Sequence, residues 1–108
     1  MMGLDRIKDD CILLVWAIEV DTPELNATVG APALKAAIDE IETYARSVGG
    51  DVAFRYLNYC DGTQDPLGSY GEENIRLMRE AAAKFDPEGV FQSRVPGGFK
   101  ISRVRTGS

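Results

Sequence analysis

The apolar positions of this chain follow two kinds of pattern, one continuous and one periodic. Residues 11–20 form an almost unbroken apolar run with β-branched and aromatic members, interrupted only by Glu19. Such a run predicts a strand that is covered on both faces, with Trp16 in the core. Residues 52–59 predict a second strand, and residues 99–104 favour a short third one.

Two other stretches repeat their apolar residues at helical spacing. The first begins near Pro32, which suits the first turn of a helix, and ends at Gly49-Gly50. Its apolar stripe comprises Leu34, Ile38, Ile41, Ala45 and Val48. The second helix is predicted over residues 72–85 and has a similar stripe. Residues 21–30 are rich in Asp, Thr, Pro, Asn and Gly and predict a loop.

The order of these elements, β-α-β-loop-α-β, predicts an α+β fold. We expect a small, mostly antiparallel sheet with two helices packed on one face. A length of 108 residues corresponds to about one domain, so residues 1–108 are treated as a single domain.

Composition removes several classes of function. The net charge of −5 argues against a nucleic-acid partner. Histidine is absent, which excludes histidine-based catalysis and removes the commonest metal ligand, so no metal site is predicted. Cys11 and Cys60 are too few for a zinc motif or a disulfide framework. The run 11–18 is too short to span a membrane and follows two acids, so we expect no membrane partner, no signal peptide and an intracellular location.

The candidate chemistry lies in residues 54–61, where the second predicted strand meets a turn-rich stretch. Side chains alternate in a strand, so Tyr56 and Asn58 would share one face while Arg55 and Tyr59 lie on the other. A phenol and a carboxamide presented together suit a flat ligand with polar edges. In the plainer interpretation the tyrosines are half-buried sheet residues and Asn58 starts a turn.

Several motifs follow one another in the second half of the chain. They are Tyr56-Leu57-Asn58-Tyr59-Cys60-Asp61, Gln64-Asp65-Pro66-Leu67, Ser69-Tyr70-Gly71, Asn74, and the stretches 84–92 and 95–100. In type and spacing they resemble the carboxyl-terminal end of fungal FAD-linked oxidoreductases, the berberine-bridge-enzyme-like members of the vanillyl-alcohol-oxidase superfamily. The resemblance implies that residues 1–53 are the end of a substrate-domain-like region, 54–101 a berberine-like carboxyl-terminal segment, and 102–108 a tail.

The resemblance also implies roles for individual residues. In such enzymes the flavin lies between an FAD-binding domain and a substrate domain, and the carboxyl-terminal segment completes the cofactor site. Tyr56 would then be the active-site base or a donor to the substrate. Asn58 would hold FAD with support from Tyr59, and we expect Trp16 and Tyr56 to contact the substrate. A phenol is protonated at neutral pH, so a base at Tyr56 needs a group that stabilises its phenolate.

Three functions fit these residues. The first is the carboxyl-terminal part of an FAD-linked oxidoreductase that oxidises a small organic, secondary-metabolite-like substrate. Its FAD-binding domain, with the glycine-rich pyrophosphate loop that this truncated sequence lacks, would come from a partner chain. The second is a cofactor-free small-molecule-binding protein of cyclase or isomerase type, derived from that domain and paired as a homodimer to cover its exposed sheet. The third is a folded remnant without activity.

Overall fold

The computed structural model describes residues 2–104, and this part of the chain is helical, without any β-strand. The predicted α+β fold, with a small antiparallel sheet and two helices on one face, is therefore wrong. The predicted strand 11–20 has no regular secondary structure, and the predicted strand 52–59 ends in a 3-10 turn. The predicted strand 99–104 contains another 3-10 turn, at Ile101–Arg103. A strand needs a neighbour that accepts and donates its backbone hydrogen bonds, and the described residues offer no such neighbour.

The helical elements follow a simple order along the chain. They are a 3-10 turn Leu4–Arg6, α1 Pro23–Leu25, a π turn Asn26–Gly30, α2 Ala31–Ser47, 3-10 turns Leu57–Tyr59 and Gly68–Tyr70, α3 Glu72–Phe85, α4 Val90–Ser93 and a 3-10 turn Ile101–Arg103. The two helices predicted from periodicity are confirmed as α2 and α3. None of the helices within residues 2–104 is both long enough and apolar enough to cross a membrane.

The loop predicted at residues 21–30 is wrong, because this stretch is helical. Thr22 Oγ1 accepts a hydrogen bond of 3.1 Å from the backbone N–H of Leu25, which caps the first turn. Pro23 occupies the first helical position, where its missing N–H costs nothing. Although residues 21–30 have the composition of a loop, Thr22 and Pro23 start a helical stretch that continues without interruption into α2.

Contacts divide the chain into two units, one of which is Cys11–Val52. In this unit α2 carries exposed ion pairs one helical turn apart, Lys35 to Asp39 at 2.6 Å and Arg46 to Glu42 at 2.7 Å. Each such pair adds about 0.3–0.5 kcal/mol to helix stability. The opposite stripe of α2 is only half buried. The helix is therefore defined by local interactions more than by a core.

The other unit comprises the described residues on both sides of Cys11–Val52 and contains the buried core. The core residues are Leu67, Tyr70, Ile75, Ile101 and Val104, with Phe54, Leu57, Met78, Ala82 and Phe99 packed against them. The ring of Phe54 stacks on that of Tyr70, with centroids 5.6 Å apart. Arg79 Nη2 donates a 2.8 Å hydrogen bond to the carbonyl of Val104, which ties α3 to the last described turn. Residues 105–108, the rest of the predicted tail, lie outside the described residues.

Arg6 attaches the amino-terminal arm to this core unit. Its Nε donates to the carbonyl of Gly3 at 3.2 Å, and its Nη2 donates to the carbonyl of Ser69 at 3.1 Å. The same guanidinium lies against Gly71, which has φ +90° and where a Cβ atom would be 2.7 Å from Arg6 Nη1. Glycine is therefore favoured at position 71 by its conformation, while the flexible Arg6 side chain could move away from an added Cβ atom.

Asp86 caps the short helix α4, and its removal gives a testable effect on stability. The carboxylate accepts backbone N–H groups of Val90 at 2.8 Å and Phe91 at 2.9 Å. We expect Asp86→Ala to lower the free energy of unfolding by about 1–2 kcal/mol, because two donors lose their acceptor. Urea unfolding followed by circular dichroism measures this loss. The matched control is Glu88→Ala, an exposed acid in the same turn, and an equal loss in both variants would contradict the capping role.

Candidate functional site

The stretch that carries the candidate chemistry is a turn rather than a strand. Leu57–Tyr59 forms one turn of 3-10 helix between the extended residues Tyr56 and Cys60. The backbone N–H of Tyr59 donates to the carbonyl of Tyr56 at 3.0 Å, which closes the turn. Leu57 packs against the core, and the N–H of Arg55 donates to Ser69 Oγ at 2.9 Å. The turn is therefore held on both sides by the same core unit.

This turn brings together Tyr56, Asn58 and Tyr59, which we call the tyrosine-asparagine cluster. Asn58 Nδ2 donates a 2.9 Å hydrogen bond to Tyr56 Oη. The rings of Tyr56 and Tyr59 meet edge to face, with centroids 5.2 Å apart and planes at 77°. Strand alternation predicted Tyr59 on the opposite face, and that prediction is wrong. Residues three apart lie on the same side of a 3-10 helix, so the turn adds Tyr59 to the pair.

The cluster has hydrogen-bonding capacity left for a ligand. Within residues 2–104, Asn58 Oδ1 accepts no hydrogen bond, and the hydroxyls of Tyr56 and Tyr59 donate none. Asn58 and Tyr59 are exposed, whereas Tyr56 is half buried. An amide oxygen beside two phenols can exchange hydrogen bonds with the polar edge of a flat ligand. The roles of these three residues stay predictions.

Cys60 and Tyr70 lie under the cluster and keep their protons. Cys60 Sγ donates to the carbonyl of Tyr56 at 3.3 Å. Burial raises the pKa of the Cys60 thiol, and the charge of Arg55 offsets only part of the rise. Burial likewise raises the pKa of Tyr70, which is 2% exposed, and the nearby backbone of Leu57 offsets only part of this rise. Neither group is therefore a nucleophile or base at neutral pH.

The loop after the cluster is fixed by Asp61. Its Oδ1 accepts the backbone N–H of Thr63 at 2.9 Å and the hydroxyl of Thr63 at 2.7 Å. These hydrogen bonds lower the pKa of the Asp61 carboxyl, so the group is ionised at neutral pH. Gln64 Oε1 accepts the N–H of Asp61 at 2.9 Å, which closes the loop from the other side.

A cleft of about 610 Å³ lies between this loop and the last described segment of the chain. Its lining includes Cys60, Thr63, Asp65, Phe99, Lys100 and Arg103. The volume falls within the range of small-molecule sites. Pattern reasoning missed the cleft, because residues 60–67 and 98–104 are far apart in sequence. None of the cluster side chains lines it.

Trp16, predicted as a core residue and as a substrate contact, lies in the unit Cys11–Val52. Its side chain is 48% exposed, so the predicted burial is wrong. The run has no partner strand among the described residues, and the indole therefore has no second sheet layer to pack against. Its contact with a substrate stays a prediction.

Comparison with known proteins shows similarity to fungal FAD-dependent monooxygenases. The FAD-dependent monooxygenase drtC of Aspergillus calidoustus is 46% identical over 104 residues, which are 96% of this chain and 20% of that protein. The FAD-dependent monooxygenase sdcF of Emericella nidulans is 40% identical over 104 residues, 96% of this chain and 22% of that protein. The bifunctional solanapyrone synthase of Alternaria solani is 43% identical over 65 residues, 60% of this chain and 13% of the synthase. No family model matches the chain, and no solved structure matches it.

The chain spans about a fifth of the length of the monooxygenases it matches. The predicted resemblance to FAD-linked enzymes is confirmed at this level, because nearly the whole chain aligns with part of each of them. FAD is accordingly the cofactor of the relatives, by their names.

Proposed function

We propose that this chain is the carboxyl-terminal, berberine-like part of an FAD-linked oxidoreductase that acts on a small organic substrate of secondary-metabolite type. The observation that carries the proposal is the 2.9 Å hydrogen bond from Asn58 to Tyr56 in an accessible turn, with Tyr59 against the same ring. The aligned length supports it, since the matched monooxygenases are about five times longer. The part that binds most of FAD then belongs to the remainder of the enzyme.

Asn58 and Tyr59 are the residues of this chain that would hold the flavin ring. Asn58 Oδ1 is accessible for a hydrogen bond to a ring N–H, and the ring of Tyr59 supplies an apolar edge. Bound FAD supplies electron acceptance, from a substrate carbon and onward to oxygen. This chain contributes orientation and the handling of a proton, which are the protein's usual share in flavin chemistry.

Tyr56 is the residue proposed to take the proton from a substrate hydroxyl or amine at Oη. A phenolate at this position needs a hydrogen-bond donor, and Asn58 Nδ2 donates to that oxygen. The half-buried ring is held by the turn and by its contact with Tyr59. In this proposal Asn58 is the residue that would stabilise the charge on Tyr56 Oη.

Flavin titration tests the assignment of the cluster to the ring. The proposed site would contact the flavin ring, and the sequence has no glycine-rich pyrophosphate loop. We therefore expect FAD and lumiflavin to bind equally and weakly. A dissociation constant on the order of 1 mM corresponds to about 4 kcal/mol of binding free energy. Quenching of flavin fluorescence measures the affinity, and gel filtration should retain no visible flavin band.

A matched pair of variants gives the control for this titration. Tyr59→Leu should weaken quenching of both flavins, whereas Tyr44→Leu should leave it unchanged. The two side chains are 60% and 70% exposed, and Tyr44 lies on α2, outside the cluster. Equal quenching by both variants would remove Tyr59 from the ring site, and a flavin band retained on gel filtration would show a far more complete cofactor site.

The 610 Å³ cleft favours a second candidate function. We propose as the alternative a cofactor-free small-molecule-binding protein of cyclase or isomerase type, with a second copy covering its exposed apolar surface. This alternative predicts a colourless protein that binds aromatic ligands. Lys100→Ala should lower the affinity for these ligands, and added FAD should not change it.

A further inference from the structure

The run of residues 12–18 has no regular secondary structure and presents apolar side chains that are largely exposed. Six large side chains in it are between 47% and 95% exposed, namely Ile12, Leu13, Leu14, Val15, Trp16 and Ile18. Within residues 2–104, the backbone N–H and C=O groups of residues 12–20 form no hydrogen bonds. Apolar surface and an open backbone edge therefore occur in the same segment.

Both faces of this run are apolar. Alternation places Ile12, Leu14 and Trp16 on one face, and Leu13, Val15 and Ala17 on the other. A strand of this type is stable where each face is covered and each edge is paired, as in the interior of a folded enzyme. Addition to the edge of an existing sheet supplies the hydrogen bonds, and pockets for alternate side chains supply the specificity.

Charge at the ends of the run decides which partner fits. Asp10 precedes it, Glu19 and Asp21 follow it, and no base occurs between Lys8 and Lys35. Two copies paired antiparallel would place Asp10 of one copy near Glu19 of the other. Two copies paired parallel would place each acid beside its own equivalent, and like charges across a strand pair are destabilising. Self-pairing is thus disfavoured, and a strand with basic ends is favoured.

We propose that residues 12–18 form a β-strand by adding to a sheet edge in the remainder of the FAD-linked enzyme, at an edge strand with Lys or Arg near both ends. The match to drtC covers 104 of the 108 residues and 20% of that protein, which leaves 80% to supply this edge. The identity of the partner rests on the proposed function, whereas the apolar run, its open backbone and its acidic ends are properties of this chain alone.

Trp16 is the single tryptophan of the chain, so its fluorescence reports directly on this segment. The probe is a ten-residue peptide with an alternating Val-Thr core and two lysines at each end. We expect it to shift the Trp16 emission to shorter wavelength and to reduce acrylamide quenching. A peptide with the same core and glutamates at both ends should bind about tenfold more weakly or worse. This difference should largely disappear in 1 M salt.

Two variants at one position provide the matched control. Val15→Pro removes a backbone donor from the run and should abolish the Trp16 response to the lysine-ended peptide. Val15→Thr keeps the donor and the β-branched shape and should retain binding. Helical circular dichroism should be unchanged in both, because the run makes no backbone hydrogen bond within the described residues.

Three outcomes would overturn the proposal. Equal affinity for both peptides would show that the acids at the ends of the run do not select a partner with basic ends. An unchanged Trp16 fluorescence with either peptide would show that residues 12–18 do not add to a strand edge. A Trp16 already shielded in the free chain, together with a dimer in analytical ultracentrifugation, would assign the run to a second copy. The flavin titration of Tyr59→Leu involves no residue of the run, so failure of the proposed function remains distinguishable from failure of the docking strand.

Discussion

Tyr56→Phe is expected to reduce turnover by about 10²- to 10⁴-fold when the chain is assayed with the FAD-carrying remainder of the enzyme. The substitution removes the atom proposed to take the substrate proton and leaves the ring in place. The ring contact with Tyr59 and the backbone turn do not depend on the hydroxyl, so the fold should be unchanged. Oxygen consumption with saturating substrate measures the loss, and thermal unfolding checks the fold.

The control for this experiment is Tyr44→Phe, which removes a hydroxyl from a side chain that is 70% exposed on α2. It should retain full turnover. Asn58→Leu gives a second test, because it removes the donor to Tyr56 Oη while keeping the phenol. Its turnover should lie between those of wild type and Tyr56→Phe. Wild-type turnover in Tyr56→Phe would remove Tyr56 from proton transfer.

Ile75→Ala is expected to lower the free energy of unfolding by about 2–5 kcal/mol. Ile75 is 4% exposed and lies on α3 within the core cluster that includes Leu67, Ile101 and Val104. The loss combines the transfer free energy of the deleted carbons with the cavity that they leave. Because small domains have total stabilities of roughly 5–15 kcal/mol, this one substitution should remove a large share. Urea unfolding monitored by circular dichroism measures it.

Leu77→Ala is the matched control, since Leu77 lies on the same helix and is 39% exposed. Its effect should be about 1 kcal/mol or less. Equal losses at positions 75 and 77 would contradict a stability that depends on the burial of Ile75 in the core, because alanine favours the helix at both positions. The core also supports Leu57 in the cluster turn, so Ile75→Ala should weaken the quenching of lumiflavin as well.

Local patterns predicted the helices, and they did so for physical reasons. In α2 and α3 the apolar spacing, the proline near the start of α2 and the Gly49-Gly50 stop all act within a few residues of where the helix forms. Strands depend on partners that are distant in sequence. The run 11–20 has the composition of a buried strand, but a pattern cannot show whether its neighbour is present, and so the predicted sheet and the burial of Trp16 were wrong.

The candidate site was predicted in part, and for the wrong geometric reason. Strand alternation placed Tyr56 beside Asn58, and the structure joins them through a 3-10 turn instead. The same turn brings in Tyr59, which alternation had placed on the other side. The resemblance includes the Ser69-Tyr70-Gly71 motif without giving it a role, whereas in the structure Ser69 anchors the turn and Tyr70 supports it from the core.

The hydrogen bond from Arg6 to Ser69 joins residues that are 63 positions apart. A ribosome adds about 5–20 residues per second, so Arg6 is made roughly 3–13 s before the carbonyl that receives it. During synthesis the amino-terminal arm therefore has no acceptor for this hydrogen bond while the whole of Cys11–Val52 is produced. The apolar run 12–18 emerges from the ribosome in that interval. The nascent chain therefore exposes an aggregation-prone apolar segment before its core can form. Binding by a chaperone at this stage would protect that segment.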